Sequence, residues 1–364
     1  MEVMPALDLG KMLGLEHPKL HEENPVIENS STRQTFGSEA VKAQDQGVDL
    51  TQISGEIVVG IDGSEQSYGA LLWAEREAQR RGTAIRLVTA YSLPVFTGTG
   101  FDAGYSVVDQ EALRAGVAQI LDEAKTRIGE TDVELRATVE TGDATGVLLE
   151  LSKRAELVVV GSRSTGGFLG RLLGTVSTSL PAHSHCPTVA VPASYAEQVD
   201  KDRSILDESK TIVVGSDGSD QARLAILKAA DEANRRGVKL TLVNALAPYT
   251  GALNWVPSAI DFEAMYREIA DLQRKAAKWV REFYPQLEIE FKLVDGSPVQ
   301  VLLEAGKDAA LVVVGTRGRG GVKGMILGST SQGVLHNAKV PLMIVPELDD
   351  ERLASAPTAE ISWG

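Results

Sequence analysis

Short runs of β-branched and aliphatic residues alternate with longer amphipathic segments along most of this chain. In the first half the pattern predicts helices near 65–81, 109–129, 144–154 and 175–184, between strands near 57–61, 85–91, 133–140, 157–161 and 188–192. Uninterrupted Val, Ile and Leu runs are typical of strands buried on both faces, and the helices are long enough for right-handed crossovers. The pattern therefore predicts an α/β fold with a doubly wound parallel sheet.

The pattern occurs twice, with the same turn residues in both copies. Ile57–Ser64 recurs as Ile212–Ser219, an offset of 155 residues (212 − 57), and Val158–Arg163 recurs as Val312–Arg317, an offset of 154 (312 − 158). A period of this length matches one domain and is too long for a solenoid repeat. We therefore expect two tandem domains, each with a five-stranded parallel sheet.

Five segments follow from the pattern. Residues 1–54 carry no sustained period and are rich in polar residues, so we expect a mostly disordered extension. The two copies are assigned to residues 55–193 and 211–347. The polar, charged residues 194–210 are interpreted as a linker, and residues 348–364 as a C-terminal tail.

The last strand of each copy, Thr188–Pro192 and Leu342–Pro346, is short and strongly apolar. Unpaired apolar edges favour aggregation and are normally covered. We therefore predict that the two copies pack against each other through these strands within one chain.

Composition limits the partners. With 43% hydrophobic and 24% charged residues the chain can build two ordinary cores, and its formal charge of −14 disfavours nucleic acid and anionic membranes as partners. The start, Met1–Pro5, lacks a secretory pattern, no apolar run is long enough to span a bilayer, and a single cysteine excludes an internal disulfide. A cytoplasmic location is expected. Translation from an internal start at Val41 or Val48 is an open alternative to the extension.

A glycine-spaced loop follows the fourth strand of the second copy. Gly315 and Gly318 are followed, after nine residues, by Gly328-Ser329 at the predicted start of a helix. Glycines let backbone amides approach an anion, and a helix N-terminus supplies free amides and the positive end of its dipole. Ser329 and Ser331 can add hydroxyl donors. This spacing favours phosphate binding.

Together with this loop, the Asp-Gly-Ser turns at Asp62 and Asp217 and the closing segments Cys186–Pro192 and Val340–Pro346 resemble the universal stress protein family in its tandem form. The resemblance covers about residues 56–193 and 211–347. It implies the adenine nucleotide alpha hydrolase-like fold. Members with the complete loop bind ATP, so it also implies an ATP-binding regulator in the stress response.

The resemblance also implies site residues. Adenine and ribose would lie beside the carboxyl ends of the first two strands, and the phosphates over the glycine loops. The Asp carboxylates would contact the ribose or a Mg²⁺ ion, or would merely cap the helices that follow them, and the Arg side chains would neutralise phosphate or simply face solvent. The implied residues are Asp62, Ala90, Gly161, Arg163, Gly174, Thr175 and Ser177 in the first copy, and Asp217, Ala245, Gly315, Arg317, Gly318, Gly328, Ser329 and Ser331 in the second.

The first copy departs from the pattern at one motif glycine. Ser164 occupies the position of Gly318. If this position needs a positive φ, serine is strained there and its side chain crowds a phosphate, which predicts a weaker first site. Whether that site binds nucleotide is left open.

Three functions compete. A nucleotide-dependent regulator needs no catalytic base. A slow ATP-hydrolysing or adenylate-forming enzyme is the alternative, although no Walker lysine and no paired nucleophile and base accompany the loops. A dinucleotide oxidoreductase is disfavoured because Asp-Gly-Ser follows the first strand in place of G-x-G-x-x-G. The expected partners are ATP, an unidentified regulatory protein and, as an open alternative, a second copy of the chain.

His183, His185 and Cys186 lie close together in the sequence and suggest a metal site, but the second copy has Asn337, Lys339 and Val340 instead. We interpret this region as a packed helix end, with Cys186 as a buried apolar residue.

Overall fold

The computed structural model describes residues 54–91, 110–162, 175–206, 210–246, 262–318 and 327–357. The first repeat contains strands and helices in strict alternation: β1 Ile57–Gly60, α1 Glu65–Arg81, β2 Ile85–Tyr91, α2 Gln110–Ile128, β3 Leu135–Thr141, α3 Ala144–Ser152, β4 Leu157–Ser162, α4 Thr175–His183 and β5 Thr188–Pro192. The expected extension lies outside the described residues except for Ser54.

The second repeat follows after helix α5, Ala193–Lys201, and a 3₁₀ turn, Arg203–Leu206. Its elements are β6 Ile212–Gly215, α6 Asp220–Arg236, β7 Leu240–Leu246, α7 Phe262–Phe283, β8 Ile289–Asp295, α8 Pro298–Ala305, β9 Leu311–Gly315, α9 Ser329–Asn337 and β10 Leu342–Val345, followed by a second 3₁₀ turn, Glu351–Ser355. The predicted α/β fold with two tandem parallel sheets is confirmed.

The two sheets join into one sheet of ten strands, in the order β3-β2-β1-β4-β5-β10-β9-β6-β7-β8. Within each repeat every pairing is parallel, and β5 and β10 pair antiparallel with Met343 opposite Val189. The predicted contact between the two closing strands is confirmed. In each repeat the chain order reverses between the first and fourth strands, which is where ligands bind in open α/β sheets.

The helices cover both faces of the sheet, as a doubly wound fold requires. On one face, apolar residues of α1, α2, α6 and α7 form a single core that runs through both repeats. On the other face each repeat keeps its own core, beneath α3 and α4 in the first and beneath α8 and α9 in the second.

An ionic cluster on the shared face ties α1 to α6. Glu77 and Glu232 are equivalent residues, and so are Arg81 and Arg236. The side chains of the four are at most 7% exposed. Arg81 pairs with Glu232 across the repeats, and Arg236 Nη2 lies 2.5 Å from Glu77 Oε2. Each arginine also pairs with the glutamate of its own helix.

The interpretation of residues 194–210 as a plain linker needs correction. Residues 193–201 form α5, which packs on α1 through buried Tyr195, Ala196 and Val199. A β-carbon on Gly69 of α1 would lie 2.1 Å from the Ala196 Cβ, so glycine is required for this close approach. Apolar residues at the inward positions of α5 make the segment part of the first repeat's core.

The described part of the C-terminal tail is also packed. Leu348, Leu353 and Ala356 lie against the core that runs through both repeats, and Arg352 Nη1 donates to Asp231 Oδ1 at 2.7 Å. Each repeat is therefore followed by a segment that folds back over its first helix.

Candidate functional site

The turn after the first strand has the same geometry in both repeats. In the second, Asp217 Oδ1 accepts hydrogen bonds from the backbone N–H of Ser219 at 2.9 Å and from its hydroxyl at 2.6 Å. In the first, the corresponding distances from Ser64 to Asp62 Oδ1 are 3.0 and 2.5 Å. The intervening glycine has a φ of 77° in the second repeat, a conformation that favours glycine.

The interpretation of the aspartates as helix N-caps is wrong. Ser64 and Ser219 are the N-caps, since their hydroxyl oxygens accept from the backbone N–H groups of Ser67 and Ala222 at 3.3 and 3.1 Å. Asp62 and Asp217 precede the caps by two residues and are exposed. Their carboxylates are held by the caps and do not themselves cap the helix.

Parallel pairing brings the predicted alanines to the same edge. Gly215 of β6 lies beside Val243 of β7, and the backbone N–H of Ser216 donates to the Val243 carbonyl at 2.8 Å. Asp217 and Ala245 are each two residues further along their chains. The first repeat places Asp62 and Ala90 in the same way, because Gly60 pairs with Val88.

The glycine that ends the fourth strand of each repeat provides room for the first helix. A β-carbon on Gly315 would lie 3.2 Å from the backbone oxygen of Gln221, and one on Gly161 would lie 2.6 Å from that of Gln66. The strand end thus meets the first turn of the helix that starts beside the aspartate. This contact brings the glycine loop and the Asp-Gly-Ser turn together.

Gly318 lies against Asp217. A β-carbon on Gly318 would be 2.3 Å from Asp217 Oδ2, closer than any side chain could be without a shift. Gly318 is not among the glycines with positive φ. The expected reason for glycine here, a left-handed backbone, is therefore wrong, and the physical reason is the space that the carboxylate occupies.

Gly328 closes the loop onto its own start. Its N–H donates to the Thr316 carbonyl at 2.7 Å, and a β-carbon on it would lie 3.4 Å from the Arg317 Cα. Gly328 is the N-cap of α9, and within the described residues no side chain caps this helix. The first turn of α9, including exposed Ser329, thus begins next to the strand end. Backbone amides at such a position attract anions.

Ser331 differs from the expectation of a phosphate donor. It is 5% exposed, and its hydroxyl donates to the Gly315 carbonyl at 2.6 Å. The hydroxyl proton is therefore used to fasten α9 to the end of β9. Ser177, its counterpart in the first repeat, is buried as well.

The remaining predicted residues are placed as follows. Arg317 is exposed, and its guanidinium lies 3.8 Å from Glu347. Arg163, Gly174 and the side chain of Thr175 lie outside the described residues, as does Ser164.

Cys186 is buried, as predicted, and burial raises the pKa of its thiol to about 12. His185 Nδ1 lies 3.4 Å from the Ser152 hydroxyl. Among the described residues no group of three His, Cys, Asp or Glu side chains is arranged for a metal ion.

A cavity of about 230 Å³ lies between the repeats, beside the ionic cluster. Its lining includes Lys228 and Arg235 together with Asp231 and Glu232. These charges already pair, with Arg235 Nη1 2.6 Å from Glu232 Oε1 and Lys228 Nζ 3.9 Å from Asp231 Oδ2. We therefore assign this cavity to the interface between the repeats.

Comparison with known proteins agrees with the fold. The sequence profile of the Universal stress protein family matches residues 55–192 and 208–346. Two universal stress proteins of Mycobacterium tuberculosis strain H37Rv are each 34% identical to this chain, one over 307 residues (79% of this chain, 94% of the relative) and one over 293 residues (79% and 96%). The crystal structure of a universal stress protein from Archaeoglobus fulgidus covers 80% of this chain and 98% of its own, with a TM-score of 0.58 and 20% identity.

No helix in the described part of the chain is long and apolar enough to cross a membrane. Two matched repeats, the ten-stranded arrangement and the similarity to tandem relatives over most of the sequence all lead to one assignment. The chain belongs to the universal stress protein family.

Proposed function

We propose that the second repeat binds ATP at the carboxyl edge of β6 and β9 and that the bound nucleotide controls a partner protein in the stress response. The observation that carries this proposal is the meeting of three features at one edge: the carboxylate of Asp217, the small residue Gly318 against it, and the start of α9 at Gly328. Hydroxyl-bearing and anionic groups of a nucleotide would find complementary partners there.

The described residues suggest how a nucleotide would be held. Asp217 can accept hydrogen bonds, and the backbone at Ala245 lies at the same edge for the adenosine part. The backbone amides of Gly318 and Ser329 would face the phosphates, since the Gly328 N–H is already used by the Thr316 carbonyl. Mg²⁺ usually keeps several waters and binds one or two carboxylates plus phosphate oxygens, so a single aspartate is compatible with it.

The first test is to identify what the native protein carries. Mass spectrometry of small molecules released from gently purified protein, with stoichiometry per chain, is expected to find ATP at about one per chain or more. Calorimetric titration of the stripped protein should then restore binding. NAD or FAD in place of ATP, or no nucleotide and no titration signal, would reject the proposal.

The alternative of slow ATP hydrolysis is separated by a turnover assay. The regulator proposal expects ATP to remain intact on the protein over hours. Steady release of inorganic phosphate, abolished by Asp217→Asn, would favour the enzyme.

The two repeats should differ in affinity. Any side chain at position 318 collides with the Asp217 carboxylate, so Gly318→Ser should weaken the second site about 5- to 30-fold, a cost of roughly 1 to 2 kcal/mol. Ser164→Gly should strengthen the first site. Titration of both variants checks this, and equal affinities at the two wild-type sites would contradict it.

A further inference from the structure

The hydroxyl of Ser219 makes two hydrogen bonds with different purposes. Its oxygen accepts from the N–H of Ala222 at 3.1 Å and so caps α6, while its proton goes to Asp217 Oδ1 at 2.6 Å. The Ser219 N–H donates to the same Oδ1 at 2.9 Å. Two donors on one carboxylate oxygen fix the side-chain torsions of Asp217 and leave Oδ2 as the oxygen that faces Gly318.

Because Asp217 is held in this way, the space at Gly318 becomes important. A carboxylate at the end of an unconstrained side chain could rotate away from a new β-carbon at little cost. Asp217 cannot do so without losing both bonds to Ser219. The room beside Gly318 and the hydrogen bonds from Ser219 therefore both bear on the side-chain torsions of Asp217.

We propose that Ser219 is a positioning residue of the nucleotide site, which holds the Asp217 carboxylate in the orientation that places Oδ2 beside Gly318. This inference rests on the proposed function, because a positioning role requires that a nucleotide binds at Asp217. A carboxylate that is oriented before binding loses less side-chain entropy when the ligand arrives, which favours affinity. In the first repeat Ser64 holds Asp62 in the same way.

The first test separates the two roles of Ser219, which caps α6 and donates its hydroxyl proton to Asp217. Glycine is nearly as good an N-cap as serine but has no hydroxyl to donate, whereas threonine keeps both. ATP affinity of the second site should fall about 5- to 10-fold in Ser219→Gly and stay within about 2-fold of wild type in Ser219→Thr. These titrations are made in the full chain with Ser164 unchanged. Wild-type affinity in Ser219→Gly would overturn the proposal.

A double-mutant cycle tests the same link without nucleotide. Gly318→Ala should lower the urea midpoint of unfolding by roughly 0.3 M when Ser219 holds Asp217, and by less than half of that in the Ser219→Gly background, where only the backbone N–H still holds the carboxylate and it rotates more readily. Additive shifts would mean that the two residues act independently and would overturn the proposal.

The two experiments distinguish the possible failures. If the wild-type protein shows no nucleotide signal, the proposed function is rejected and the unfolding cycle alone decides whether Ser219 and Gly318 are linked through Asp217. If wild type binds ATP and Ser219→Gly binds it equally well, the positioning role is rejected while the proposed function stands.

Discussion

The first strands of the two repeats, β1 and β6, differ at their amino ends and match at their carboxyl ends. At the amino end of β1, buried Glu56 pairs with Arg86 at 2.8 Å, whereas at the amino end of β6 the Thr211 and Thr241 hydroxyls lie 3.0 Å apart. At the carboxyl ends the aspartate–serine turns agree to within about 0.1 Å in both hydrogen bonds. Different residues therefore fill the amino ends of the first strands, whereas the same Asp-Gly-Ser sequence forms the same turn at both carboxyl ends.

The ionic cluster between the repeats offers the largest test of their equivalence. Removing one of the two carboxylates leaves both buried guanidinium groups on the other carboxylate, with one positive charge uncompensated, so Glu77→Gln and Glu232→Gln should each lower the free energy of unfolding by about 3 to 5 kcal/mol. Denaturant unfolding measures the loss. The matched control is Glu150→Gln, because Glu150 is exposed and its pair with Lys153 should contribute less than about 1 kcal/mol. A large loss in only one of the two variants would break the equivalence.

Acid should weaken the same interface. Burial opposes ionisation of Glu232, yet Arg236, Arg81 and Arg235 outweigh it and lower its pKa from the ordinary 4.5 to about 2. A lowered carboxyl pKa stabilises the fold above the ordinary value, and this contribution is lost as pH falls from about 4.5 to about 2. Burial and the neighbouring Glu232 raise the pKa of Glu77, so the loss of stability in acid is assigned to Glu232 alone. Stability measured against pH should fall less steeply across this window in Glu232→Gln, and an unchanged slope would contradict the assignment.

The glycine at the end of the fourth strand has less room in the first repeat than in the second. A β-carbon on Gly161 would lie 2.6 Å from the Gln66 backbone, while one on Gly315 would have 3.2 Å to the Gln221 backbone. A contact of 2.6 Å to backbone requires a shift of the chain, whereas 3.2 Å requires only a few tenths of an ångström, so Gly161→Ala should cost about 1 to 3 kcal/mol and Gly315→Ala about 1 kcal/mol or less. Thermal unfolding of the two variants measures this order, and a reversed order would contradict it.

The segments that fold back over the first helices give the smallest predicted change in stability. Gly69 has Leu224 as its counterpart because a helix, α5, crosses α1 closely while a 3₁₀ turn follows the second repeat. Alanine in place of a helical glycine ordinarily stabilises by about 1 kcal/mol. Gly116→Ala on α2, which meets nothing within 4 Å, should do so, whereas Gly69→Ala should destabilise by about 1 kcal/mol or more. Melting temperatures that rise in both variants would argue against the close approach of α5.

The alternation of elements and the seam between the closing strands could be predicted from the sequence because buried parallel strands need continuous apolar residues. The packed α5 was missed, since polar composition outweighed the apolar spacing of Tyr195, Ala196 and Val199. The ionic cluster was missed for a similar reason. A Glu four residues before an Arg, as in Glu77 and Arg81, is typical of a solvent-exposed helix face, and only its recurrence as Glu232 and Arg236 pointed to more.

In the candidate site, sequence located the loop and the aspartates but not how they touch. The spacing of Gly315, Gly318 and Gly328 predicts a phosphate loop whatever the reason for each glycine. That Gly318 makes room for Asp217, and that Ser331 is used by the Gly315 carbonyl, depends on contacts between segments about 100 or more residues apart in the chain or on the opposite side of a loop. A sequence pattern alone does not contain those contacts.

The antiparallel pairing of β5 and β10 determines the directions in which the two candidate sites face. Strands in the first repeat run opposite to those in the second, so Asp62 and Asp217 face away from each other at opposite edges of one continuous sheet. A ligand at one of these turns would therefore be separated from a ligand at the other by the length of the strands, on opposite sides of the line along which the two repeats pair.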